Sequence, residues 1–234
     1  MRSRIVKGNI AYTAKNEDGS FRERGREDFL YVTHNDGSRT LSAYCEIDEP
    51  APNVLRHVVL TVDADDKPVD AFVRVVVGGQ FSGAGFFRIS ADSIECESYE
   101  PSIGRIAQSF DTGGNIDAFN THPLSVDGYH LIGVDPAQAS GLKRIRTFLP
   151  SLDHRGAGPP MIADHHIMLA FVGRETVSVA AGTFDTKHFR FVGEADDPNA
   201  HPPYDVWVSD DEDCLFGQGV GPVARRGRTT AHHT

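Results

Sequence analysis

The chain is short of cysteine, with 3 in 234 residues, of tryptophan, with 1, and of long apolar runs. Cys45, Cys96 and Cys214 are widely separated and odd in number, which gives neither a disulfide framework nor a clustered thiolate metal site and suits a reducing compartment. No segment approaches the roughly 18 to 20 apolar residues needed to cross a bilayer, so no membrane span is expected. The opening residues are basic, but the stretch after them is too short and polar for a secretory signal, and a soluble cytoplasmic protein is the expectation. Long basic runs are missing as well. The net charge is -10 and the arginines are scattered among acidic residues, which argues against a nucleic-acid-binding face. Short basic clusters at residues 22–26 and 225–228 read as solvated surface.

What the chain does have is a composition ordinary for a globular protein, 39% hydrophobic and 24% charged, with 23 glycines and 13 prolines that suit many short turns. Residues 177–191 show its period: two alternating segments flank the small residues Ala180, Ala181 and Gly182, a β-hairpin pattern. Similar alternation predicts strands over residues 4–14, 27–33, 40–47, 54–63, 69–77 and 93–99, with turns at Asp18-Gly19, Asp36-Gly37 and Asp63 to Pro68. Leu41, Ala43, Cys45 and Ile47 share one strand face. Glycines among aromatics in residues 78–87 mark a place where a strand bends or another group approaches closely. Between residues 111 and 164 the pattern stops. Proline punctuation there predicts an irregular lid with short helices, one of them over residues 142–149. Strands resume at residues 165–172 and 204–209, residues 217–221 read as a flexible close, and the end of the chain reads as a frayed tail. The expected architecture is all-β: one domain over residues 1–234, an antiparallel β-barrel or half-barrel. Residues 112–164 form its partly helical lid insertion and residues 225–234 its flexible tail.

Ala181-Gly182-Thr183-Phe184-Asp185, followed by His188-Phe189-Arg190 and Tyr204-Asp205-Val206-Trp207-Val208, resembles poorly characterised bacterial β-barrel proteins related in shape to lipoprotein carriers and lipocalins. The resemblance implies a cup-shaped β-structure with a cavity, and it assigns no catalytic residues.

Histidines 122, 130, 154, 165, 166 and 188 gather in or near the lid, and histidine exchanges protons near neutrality. Asp164-His165-His166 fails as a metal motif because adjacent strand residues point to opposite faces. Gly217 to Gly221 is followed by Pro222 where a dinucleotide-binding helix would begin, and Gly78 to Gly85 lacks a P-loop ending, so no cofactor is implied. A Gly-x-Ser-x-Gly elbow is also missing. These readings leave cofactor-independent lyase or isomerase chemistry on a small aromatic or hydrophobic molecule held in a barrel cavity. His130, His166 and Asp127 are the candidate acid/base groups, Tyr129 a hydrogen-bond donor and His122 a reserve. Arg144 or Arg146 would hold a carboxylate. His188 and Arg190 join the site if the polar face of their strand lines the cavity, and Trp207 would floor a pocket. A noncatalytic carrier of a hydrophobic ligand is the main alternative and an interaction module a third. Homo-oligomerisation stays open.

Overall fold

Turn chemistry sets the first hairpins. Asp18 Oδ1 accepts the Ser20 amide at 2.9 Å, Asp36 Oδ1 accepts the Ser38 amide at 3.0 Å, and Gly19 and Gly37 take φ values of 85° and 86° that only glycine adopts freely. A computed structural model of the chain describes residues 3–131, 134–139, 141–151, 153, 155–179, 182–193, 203–209, 215–220 and 229–232. Ala180, Ala181, His154, Cys214 and the acidic stretch 210–213 lie outside them.

Eight strands follow in an antiparallel meander: β1 (Arg4–Lys15), β2 (Phe21–Thr33), β3 (Arg39–Ile47), β4 (Val54–Val62), β5 (Pro68–Val77), β6 (Gln80–Ile89), β7 (Ser93–Glu100) and β8 (Gly104–Asp111). A ninth strand, β15 (Thr229–His232), pairs with β1 at the opposite edge, where a frayed tail was expected. The strands β9 (Ala118–Phe119), β10 (Leu142–Leu149), β11 (Ala163–Val179), β12 (Gly182–Gly193), β13 (Tyr204–Ser209) and β14 (Leu215–Val220) make a second, six-stranded sheet. Between β9 and β10 lie the short helix α1 (Leu124–Tyr129) and a 3-10 turn, Pro136–Ala139. The fold is thus mainly β, a half-barrel covered by a second sheet and a partly helical insertion. Within the described residues, no helix is long and apolar enough to cross a membrane.

Register converts the alternation into rows. One inward row of the nine-stranded sheet runs Phe29, Ala43, Val58, Val73 and Gly85, and its neighbour runs Tyr31, Leu41, Leu60, Ala71, Phe87 and Cys96. Leu41, Leu60, Ala71 and Phe87 are fully buried, and burying a side chain of Leu or Phe size contributes roughly 1.5–3 kcal/mol. Phe119 packs on Phe87 at 5.0 Å between ring centroids, Tyr129 on Tyr31 at 5.4 Å and Phe148 on Phe110 at 5.3 Å. These aromatics join both sheets and α1 in one apolar core.

Glycine permits one close approach. A Cβ on Gly85 would lie 2.8 Å from Pro160 Cβ and one on Gly83 would lie 2.9 Å from Pro160 Cδ, so the proline-rich segment crosses β6 where side chains are missing. Two expectations are corrected. Residues 142–149 form strand β10 rather than a helix, because β11 and β9 offer backbone partners on both sides and Ile145 and Thr147 suit a pleat. Leu215–Val220 pairs with β13 rather than forming a flexible close.

Candidate functional site

Next to the apolar rows lies one that breaks the pattern. Ile10, Glu27, Cys45, Arg56 and Val75 are successive register partners, so an acid, a thiol and a guanidinium share the inner face. Glu27 and Cys45 are fully shielded and Arg56 is 1% exposed. Burying such charges costs several kcal/mol each unless polar partners compensate.

Glu27 has those partners. Its Oε2 accepts the Tyr12 hydroxyl at 2.5 Å and the Leu124 amide at 2.9 Å, and its Oε1 accepts the Ser125 amide at 3.1 Å. The carboxylate therefore fastens the start of α1 to the half-barrel. Burial raises its pKa, and the hydrogen bonds oppose the rise. Burial also lifts Tyr12 well above the ordinary phenol range, with the Glu27 charge adding to it.

Arg56 is compensated differently. One guanidinium nitrogen, Nη1, donates to the Arg155 carbonyl, the Cys45 thiol interacts with the guanidinium, and Nε has no hydrogen-bond partner among the described residues. Gly156, with φ 61°, and His122, with φ 77°, border the guanidinium. A Cβ on Gly156 would lie 2.6 Å from Arg56 Nη1 and 2.7 Å from the His122 ring. A non-glycine residue in the left-handed region costs of order 1–3 kcal/mol, and such positions gather at ligand clamps and active sites. His122, half-buried, is thus the sequence candidate that the fold carries to this row.

Asp127 sits on the next face of α1. Its Oδ1 accepts Asn120 Nδ2 at 2.6 Å, and Tyr204 donates its hydroxyl to the same carboxyl group. Burial, with the Glu27 charge assisting, lifts Asp127 to about 7 against the opposing Asn120 hydrogen bond. Asp127, Asn120, Tyr204, Glu27 and Tyr12 therefore form a contiguous acid/base group behind the helix.

The other sequence candidates go elsewhere. His130 Nε2 donates to the Phe119 carbonyl at 2.9 Å, and burial lowers its pKa to about 4, which keeps the ring neutral. The Tyr129 hydroxyl donates to the Arg39 carbonyl at 2.8 Å. Arg146 is fully engaged: Nε and Nη2 grip Asp164 at 3.1 and 2.7 Å, Nη1 reaches the Thr112 and Asn115 carbonyls, and the guanidinium lies over Phe110 and Phe148. Arg144 is exposed on β10 and His166 is half-buried on β11.

His188, Arg190 and Trp207 do come together, but on the other face of the six-stranded sheet, since Phe189 and Phe191 take the core side of β12. His188 contacts Glu175 Oε1 through Nδ1 and Asp205 Oδ1 through Nε2, both at 2.8 Å, and stacks on Trp207 at 4.4 Å. Trp207 Nε1 donates to Glu175 Oε1 at 2.6 Å, and Arg190 Nε donates to Asp205 Oδ1 at 2.8 Å.

Sequence reasoning missed Glu27 and Arg56, although the signal was present: each has the strand parity of buried apolar neighbours, Phe29 and Tyr31 for one, Val54, Val58 and Leu60 for the other.

No protein-family model and no curated protein matches the chain. It is similar in fold to the crystal structure of a β-barrel-like protein of domain of unknown function DUF1849 from Brucella abortus, with a TM-score of 0.60, 12% identity and all of both chains covered. A DUF1089 family protein from Pseudomonas aeruginosa aligns at a TM-score of 0.46 and 9% identity, over 86% of this chain and 91% of that one. The first likeness is one of fold, a poorly characterised β-barrel-like class.

Proposed function

We propose that the chain is a binding protein for a hydrophobic molecule, held against the concave face of the nine-stranded sheet beneath the α1 cover. One observation carries this reading: two adjacent rows of that face, Phe29 to Gly85 and Tyr31 to Cys96, are apolar, and among the described residues the sheet does not close on itself, so the face is completed by separate segments carrying Phe119, Tyr129 and Phe148. A wall of this kind, joined to its cover by aromatic contacts, suits exchange of apolar side chains for an apolar guest. The resemblance of the sequence from Ala181 to Asp185, with His188 to Arg190 and Tyr204 to Val208, to β-barrel proteins related in shape to lipoprotein carriers and lipocalins supports the same reading. In an equilibrium dialysis assay of the purified chain with radiolabelled oleyl alcohol, we expect saturable binding of about one molecule per chain. Failure of the alcohol and of oleate alike to bind above a non-specific background overturns the proposal.

A second reading, cofactor-independent acid/base chemistry of the lyase or isomerase type, is favoured by Asp127, whose carboxyl lies near 7 beside Tyr204 and Asn120. It moves the chemistry from His130 and His166 to the Glu27 and Asp127 group. Turnover of a hydrophobic carbonyl compound that disappears in Asp127→Asn, with the fold kept, would select it over simple binding.

A further inference from the structure

Three arginines meet at the end of the half-barrel where β2 and β4 approach the 155–160 segment, and none of them makes an ion pair among the described residues. Arg56 donates to the Arg155 carbonyl and interacts with the Cys45 thiol. Arg155 Nη2 donates to the Pro50 and Pro52 carbonyls at 2.6 and 2.9 Å. Arg24, the extra residue where the register between β1 and β2 shifts, donates Nη1 to the Glu49 carbonyl at 3.3 Å, and its buried Nε has no partner among the described residues. Tyr12 stands within electrostatic reach of both Arg24 and Arg56, and Arg24 and Arg155 repel one another.

Three carboxylates of this region, Glu49, Glu27 and Asp153, are occupied. Glu49 is held by Arg22 Nε and Nη2, at 3.2 and 2.5 Å, and Glu27 by Tyr12 and two α1 amides. Asp153 accepts the Arg155 and Ala157 amides. The acceptors left to the three guanidinium groups are neutral carbonyls and a thiol, each a weaker partner for a cation than an oxyanion is. An arginine 1% exposed, with an unpaired Nε and a strained histidine and an obligatory glycine at its side, is a poor device for stability alone.

We propose that Arg56, assisted by Arg24, which has Tyr12 and Arg155 as neighbours in common with it, seats the oxyanion head, a carboxylate or phosphate, of the hydrophobic molecule bound by the half-barrel. This rests on the binding reading above and adds the ligand's polarity: an apolar tail along the Phe29 and Tyr31 rows and an anionic end at the Glu27, Cys45, Arg56 row, where the head replaces the Arg155 carbonyl as acceptor. His122 and Gly156 set the depth to which the head can enter.

The test compares oleate, oleyl phosphate, oleyl alcohol and inorganic phosphate in equilibrium dialysis with the intact chain. Oleate and oleyl phosphate should bind at least about tenfold more tightly than the alcohol, as expected for a charge-assisted bidentate contact. Arg56→Met should bring both anions down towards the alcohol without lowering the melting temperature, since an apolar side chain of similar volume replaces a poorly compensated charge. Equal affinity of the three oleyl compounds overturns the anionic head while leaving the hydrophobic site standing. Unchanged selectivity in a folded Arg56→Met protein does the same. Inorganic phosphate binding as tightly as oleyl phosphate overturns it in favour of a free-anion seat. If no oleyl compound binds, the binding reading itself has failed. Should Arg56→Met not fold, Arg24→Gln at its half-buried position supplies the test, with a smaller loss of about threefold confined to the anions.

Discussion

The inner row of the half-barrel and the outer face of the six-stranded sheet each gather acids, bases and an aromatic hydroxyl or indole, yet they are built on opposite terms. Around His188 each carboxylate has two nitrogen partners, His188 and Trp207 for Glu175 and His188 and Arg190 for Asp205, and both are in part solvated: Glu175 is 49% exposed and Asp205 15%. Around Arg56 the surroundings are dry and the partners neutral. Solvent makes the first cluster cheap to assemble and cheap to lose, while burial makes the second costly unless each group is matched. Glu27 and Arg56, on the same row, show how sharply the outcome depends on matching. One accepts three hydrogen bonds, and the other keeps an unused donor.

That contrast can be broken most directly at Glu27. Glu27→Leu leaves the Tyr12 hydroxyl and the Leu124 and Ser125 amides without their acceptor, and urea unfolding should show a loss of roughly 3–5 kcal/mol. A loss as small as that expected for Arg56→Met would erase the distinction between the two buried charges. Next in size is Gly85→Val, which drives a side chain into Pro160 and Ser98 and should cost about 1–3 kcal/mol by thermal or chemical denaturation. Asp127→Asn probes pH. The folded carboxyl titrates near 7 and the unfolded one near 3.8, so its contribution is complete at low pH and drains away as pH rises through that interval. His130, neutral when folded with a pKa near 4 against 6.5, works in the reverse direction: its contribution is full above 6.5 and is lost as pH falls towards 4. Melting curves from pH 4 to 8 should therefore show Asp127→Asn gaining on the parent protein steadily above pH 4, most of all near pH 8; parallel curves would show that Asp127 is not raised. Smallest of all, a Glu175→Gln and His188→Ala double-mutant cycle should give a coupling of about 1 kcal/mol or less that shrinks in high salt.

Much of the sheet could be read from the chain. Alternation in residues 40–47, the Asp-Gly turns and the β-branched pair of runs around Asp63 to Pro68 act locally, and they appear as β3, the first turns and the β4–β5 hairpin. The glycines of β6 announced a close approach, and Pro160 supplies it. The helix expected over residues 142–149 does not form, because the ladder with β11 decides the state of the segment from outside it. The site was less legible. His122 lies beside the inner row, Asp127 lies behind α1 with Asn120 and Tyr204, and Arg146, expected as a ligand anchor, is paired with Asp164. Which charge faces inward depends on strands far apart in sequence, and only the parity of Glu27 and Arg56 with their apolar neighbours hinted at it.

The bond from the Leu124 amide to Glu27 spans 97 positions of chain. Closing so long a loop is entropically slow, and its reward arrives only after β1 and β2 have brought Tyr12 and Glu27 together. Helix docking is therefore a late event in folding, and an emerging chain carries its greasy trough uncovered until the segment that begins at Leu124 has been made.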